Sequence, residues 1–166
     1  MTMTTIKPAA APAAEEDLLL ERQLCFALTV ASRSVVAAYK PVLERMGLTH
    51  PQYLVMLALW EKSPRSVREI SDELDLEPAT ISPLLRRLES AGFISRRRAA
   101  GNERSLAVEL TAAGAALRAE ALSVPETMMR KLGLEREDVV QLHEAMTRLI
   151  AATKGQQPAA GAVSSS

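Results

Sequence analysis

The most reactive side chain in this sequence is also a solitary one. Cys25 is the single cysteine among 166 residues, which excludes an internal disulfide, a Cys-rich zinc site and a two-thiol redox motif within one chain. Whatever Cys25 does, it does with a partner from elsewhere. By residue type alone, a lone cysteine on an apolar helix is more often a small buried hydrophobe than a reactive group. Two histidines, His50 and His143, do not suggest a metal site, and His143 reads as structural or exposed. Met46, Met56, Met128, Met129 and Met146 read as gap-filling core or interface residues rather than ligands, and Trp60 as a core anchor.

A second kind of chemistry lies in the arginines. From Arg86 to Arg104 there are six of them (Arg86, Arg87, Arg96, Arg97, Arg98, Arg104) against Glu89 and Glu103, a local charge of +4 in a chain whose total is zero. Guanidinium groups bind phosphate or guanine bidentately and enter narrow minor grooves. A run such as Arg96-Arg97-Arg98 is by itself more often a solvated strand face. What decides between these readings is the element pattern around it.

From Asp17 to Lys40, Leu20, Leu24, Leu28, Ala31, Val35 and Ala38 recur at helical spacing, and Pro41 stands at or near the helix end. Thr49 and Gln52 form a capping box that starts a second helix, and Ser66 and Glu69 start a short third one over roughly 67–74. With Pro78 in a first-turn position, residues 79–91 place Ile81, Leu84, Leu85 and Leu88 on one face and end at Gly92. Then the period changes. Phe93 to Arg98 and Leu106 to Leu110 are strand candidates, with Gly101-Asn102 in the connection between them. Thr111 caps a helix reaching about Lys131, bent at Pro125, and a last helix begins near Glu135 with Val139, Leu142, Met146 and Leu149 on one stripe.

This order predicts a mainly α fold with a small β-hairpin: a winged helix-turn-helix plus a helical dimerisation region. Its second short helix enters the major groove. Opposite the leucines it carries Ala79, Thr80, Ser82, Pro83, Arg86 and Arg87, a set able to give hydrogen bonds, methyl contacts and phosphate contacts. The ends, 1–14 and 155–166, lack the large side chains that offset ordering entropy and read as disordered tails. The longest apolar run, Leu54 to Trp60, falls well short of the ~20 residues that cross a bilayer, and no leader pattern opens the chain. A cytoplasmic location without membrane attachment is the expectation.

Leu24-Cys25-Phe26-Ala27-Leu28, Tyr39-Lys40-Pro41, Leu48-Thr49-His50-Pro51-Gln52-Tyr53-Leu54, Thr80 to Glu89 and Asn102-Glu103-Arg104 together resemble the MarR family. Within it they are similar to the single-cysteine, OhrR-type organic hydroperoxide sensors. The similarity runs from about Leu18 to Thr153. It implies a DNA-binding domain over 15–154, with dimerisation helices at about 17–46 and 112–153, helix-turn-helix at about 66–91 and wing at about 93–110. It further implies a homodimeric repressor on a pseudo-palindromic operator in double-stranded DNA, with Arg97 and Arg104 on the wing and Arg104 reaching the minor groove. Cys25 would be oxidised by an organic hydroperoxide and then joined to a low-molecular-weight thiol. No cofactor, metal or catalytic residue is implied.

Cys25 and Tyr39 lie fourteen residues apart, which on one straight helix separates them by about 21 Å. They cannot meet within one chain. Tyr39 reaches a cysteine only across a twofold axis, with two first helices running roughly antiparallel. The sequence departs from its relatives at two supporting positions: His50 and Thr29 replace tyrosines. Thr29 can donate a hydroxyl hydrogen bond, while His50 donates when neutral or favours a thiolate when cationic. Asn102 stands where the family usually has Asp. The alternative to oxidation is release of the same repressor by a small apolar or phenolic ligand. A thiol enzyme using Cys25 and His50 finds no second cysteine, phosphate-binding loop or carboxylate pair in its support.

Overall fold

The computed structural model describes residues 16–99 and 101–155, without the side chains of residues 99 and 102–105. The expected tails therefore lie outside the described residues, apart from Gly155, whose backbone N–H donates to the Ala151 carbonyl at the end of the last helix. The chain divides into two compact units, Met1–Ala121 and Leu122–Ser166.

The first unit begins with a 3-10 turn, Leu20–Arg22, followed by helix α1, Leu24–Glu44. A continuous helix from Asp17 was expected; instead Gln23 is extended, at φ −77° and ψ 118°. The Gln23 amide donates to the Asp17 carbonyl, so a side chain occupies an acceptor that a helical backbone would use. At the other end Pro41 lies in the last turn of α1, near the helix end as expected. One lost N–H is tolerated there since fully buried Leu43 anchors the last turn, and the helix stops only where Gly47, at φ +71°, lets Leu48 N–H reach the Leu43 carbonyl.

Helix α2, His50–Glu61, starts where Gln52 Oε1 accepts from the Thr49 N–H at 2.8 Å. It buries Tyr53, Val55, Met56, Ala58 and Leu59. Strand β1, Arg65–Ser66, leads directly into α3, Val67–Leu74, through a reciprocal box between Ser66 and Glu69. Asp75 turns the chain in the left-handed region at φ 54°, and α4, Pro78–Ser90, follows with Ile81, Leu85 and Leu88 buried. Each such aliphatic side chain contributes about 1.5–3 kcal/mol by burial.

Strands β2, Ile94–Ala99, and β3, Asn102–Leu110, form the expected antiparallel hairpin. The sheet has a third member, since β1 pairs with β3 through Arg65↔Val108 and Ser66↔Ala107. Two residues are too few to show a period, and only the non-local pairing reveals them. Helix α5, Ala112–Ala121, closes the unit. The architecture is a winged helix-turn-helix.

The second unit holds α6, Val124–Leu132, and α7, Arg136–Lys154. The single bent helix expected from Thr111 to about Lys131 is thus two helices. Pro125 sits in the first turn of α6, where its missing N–H costs nothing. Helix α7 opens with Glu135 N–H donating to Asp138 at 2.9 Å and buries none of its residues in the single chain. Val139, Val140, Leu142 and Ile150 are exposed on it. Among the described residues no helix is long and apolar enough to cross a membrane.

Candidate nucleic-acid interface and thiol site

Because Ile81, Leu85 and Leu88 point into the core, α4 turns its other face outward. Ala79, Thr80, Arg86 and Arg87 are exposed there, and Ser82 and Pro83 are half-buried. The Ser82 hydroxyl donates to the Pro78 carbonyl at 2.9 Å, which leaves its oxygen as an acceptor on that face. Both exposed arginines stand on the last two turns, next to the strand that follows.

The basic stretch is not uniform in role. Arg96 donates from Nε and Nη2 to Glu89 Oε2 at 2.9 and 2.6 Å, and its backbone N–H donates to Glu89 Oε1 at 3.2 Å. These bonds hold the Glu89 carboxyl below its usual pKa, the Arg96 side-chain hydrogen bond being the largest cause. Arg96 is thereby a brace between α4 and β2. Arg97, 77% exposed, lies 4.0 Å from Glu109 and remains on the surface. The Arg104 and Asn102 side chains lie outside the described residues.

Sequence reasoning missed Arg65. It is only 9% exposed; Nε donates to the Lys62 carbonyl at 3.1 Å, and its guanidinium meets Glu73 at 3.3 Å and Glu61 at 3.8 Å. This ties α2, β1 and α3 together. Its position one residue before the Ser66 cap is the sole hint in the sequence.

At the thiol end, Cys25 is exposed in the first turn of α1. Thr29 donates its hydroxyl proton to the Cys25 carbonyl at 2.7 Å, so that proton is engaged by the backbone rather than offered to a thiol. Tyr39, near the other end of α1, packs edge-on against His50, with ring centroids 5.4 Å apart and planes at 63°. Tyr53, unforeseen as a site residue, lies 6.1 Å from Tyr39 and 6.4 Å from Trp60. Its position three residues after His50 puts both on one face of α2, which is the signal that could have found it.

Burial lowers the His50 pKa and raises that of Tyr39; for Tyr53, burial and then the neighbouring Tyr39 both raise it. His50 is therefore a neutral imidazole at pH 7. It borders a cleft of about 500 Å³ with Val36, Ala37, Leu48 and Pro51, while Arg33, Lys40 and Glu44 also line it. The structure brings Tyr39 and His50 together and brings Cys25 to neither. Among the described residues no cluster of three metal-ligating side chains occurs.

The sequence profile of the MarR family matches residues 48–106, from the start of α2 into the wing. The organic hydroperoxide resistance transcriptional regulator of Bacillus subtilis (strain 168) is 38% identical over 135 residues, covering 81% of this chain and 92% of that protein. Among solved structures, reduced AbfR bound to DNA is similar with a TM-score of 0.70 at 29% identity, over 84% of this chain and 98% of its own. Disulfide-formed AbfR is similar with a TM-score of 0.62 at 30% identity, over 88% and 97%. A shared winged helix, a matching family profile and 38% identity over most of both chains establish that this chain belongs to the MarR family of transcriptional regulators.

Proposed function

We propose that this repressor works as a homodimer that senses organic hydroperoxides through oxidation of Cys25 and then releases its operator, acting in the cytoplasm. One observation carries the proposal: an exposed Cys25 and the Tyr39–His50 ring pair lie at opposite ends of α1, so a sensor site containing all three needs a second chain. The exposed apolar residues of α1 (Leu24, Phe26, Val30, Val36) and of α7 support dimerisation helices at about 17–46 and 112–153. Two such copies, antiparallel at α1, would bring each Cys25 to the partner's Tyr39 and the partner's His50. The organic hydroperoxide regulator of Bacillus subtilis and the DNA-bound AbfR structure point the same way.

The chemistry balances with a hydroperoxide alone. The Cys25 sulfur attacks the distal peroxide oxygen, the O–O bond breaks, and the thiol proton leaves with the alkoxide as an alcohol, giving Cys25 sulfenic acid. A small thiol then displaces water to form a mixed disulfide, since no second cysteine is present in the chain. Thr29 lies one turn from the sulfur, and Tyr39 and His50 would offer hydrogen bonds from the partner.

On DNA, the helix-turn-helix at 66–91 would set Ala79, Thr80, Ser82, Pro83, Arg86 and Arg87 in the major groove. The wing at 93–110 would bring Arg97 to phosphates and Arg104 to the minor groove. Bulk added at the subunit seam changes the spacing of two reading heads that must match half-sites about one turn apart. An operator gel shift tests this. Wild type should be released by cumene hydroperoxide and Cys25→Ser should stay bound; release of both alike overturns the oxidation route. That outcome would favour a small apolar or phenolic ligand in the 500 Å³ cleft, a second reading that the cleft's apolar lining supports.

A further inference from the structure

The ring contact between Tyr39 and His50 is the start of a longer row. Ring contacts continue from Tyr39 to Tyr53 and on to Trp60, and the indole Nε1–H of Trp60 donates to the Gly114 carbonyl at 2.8 Å, across 54 residues of sequence. Gly114 is there because nothing larger fits: a Cβ would lie 1.9 Å from the Phe93 carbonyl oxygen. The first turn of α5 is thus in direct contact with the residue that leads into β2. Thr111, which follows β3, bonds the same place: its N–H donates to the Phe93 carbonyl at 3.1 Å, its hydroxyl donates to the Gly92 carbonyl, and it accepts from Gly114 N–H at 3.1 Å. Both roots of the hairpin and the start of α5 form one hydrogen-bonded block.

We propose that Trp60, through its bond to Gly114, is the positioning residue that carries a change at the Tyr39–His50 ring pair to the root of the wing. The inference rests on the Tyr39–His50 pair being part of the proposed switch site. Close-packed rings transmit a displacement instead of absorbing it, and the single directional bond at the end of the row converts a shift of α2 into a shift of the block that carries the hairpin. A parallel link exists, since Leu110 N–H donates to Ser63 Oγ at 3.1 Å just beyond α2, so removing the indole bond weakens the coupling without abolishing it.

Trp60 is the one tryptophan in the chain, which makes its emission a reporter of this contact. Operator affinity and tryptophan emission are measured before and after cumene hydroperoxide for wild type and Cys25→Ser, and affinity also for Trp60→Phe. Wild-type emission should change on oxidation and that of Cys25→Ser should not. Oxidised Trp60→Phe should retain about 2–12-fold more of its reduced-state affinity than oxidised wild type does, the equivalent of one hydrogen bond. A purely structural role would weaken both redox states alike and leave their ratio unchanged. Release of wild type with constant emission, and of Trp60→Phe by the same factor, overturns the inference alone. If wild type keeps its operator, or Cys25→Ser releases it equally, the switch reading and the inference fall together. Should Trp60→Phe fail to fold by circular dichroism, the wild-type emission decides.

Discussion

The helix-turn-helix with its wing and the helices at the chain's ends obey different rules of completion. Around α3, α4 and the sheet, one chain supplies everything: Ile70, Ile81, Leu85, Leu88, Ile94 and Val108 are fully or almost fully buried, Arg65 fastens three elements, and Glu89 braces the hairpin through Arg96. On α1 and α7 the apolar residues face outward, and α7 buries none of its nineteen residues. The DNA-reading module is finished by itself, whereas α1 and α7 leave apolar residues exposed in the single chain, as the proposed homodimer would require.

The largest expected effect falls on the finished region. Leu85→Ala should cost about 2–5 kcal/mol of folding stability, read by chemical denaturation, and a loss below 1 kcal/mol would mean this core is not the self-sufficient part. On the unfinished side, Leu142 is half exposed in the single chain. Leu142→Asp should weaken self-association by on the order of 1.5–3 kcal/mol, the value of one large apolar side chain. Sedimentation should show a shift towards monomer; an unchanged mass removes α7 from the interface.

Separability of the two regions comes next. Arg104→Ala should weaken operator binding by roughly 1–3 kcal/mol and leave the rate of Cys25 sulfenic acid formation as it was. A slowed rate would mean that Arg104 takes part in the thiol site itself. The smallest effect concerns pH. Burial lowers the His50 pKa below its ordinary 6.5, so the unfolded chain takes up the proton first and stability falls as pH drops through about 6.5, levelling off below the folded value. His50→Phe should flatten that part of the stability curve, and an unaltered slope would show the ring to be solvated.

Local signals were the legible ones. The boxes at Thr49–Gln52 and Ser66–Glu69 are each four residues long, and both stand where the spacing puts them. Pro41 stands near the end of its helix, as its position suggested, whereas Pro125 begins a helix rather than bending one. What a proline does depends on packing that spacing does not encode. Strand β1, the Arg65 anchor and the Trp60–Gly114 bond join residues far apart in the chain, and no periodic pattern announces them. The separation of Cys25 from Tyr39 was legible because a single helix fixes it.

That separation has a genetic consequence under the twofold arrangement. A chain lacking the sulfur still offers an intact Tyr39 and His50, and a chain lacking the Tyr39 hydroxyl still offers its sulfur, so a mixed pair of Cys25→Ser and Tyr39→Phe would hold one site damaged twice and one site whole. Two defective alleles would then complement each other within a single molecule.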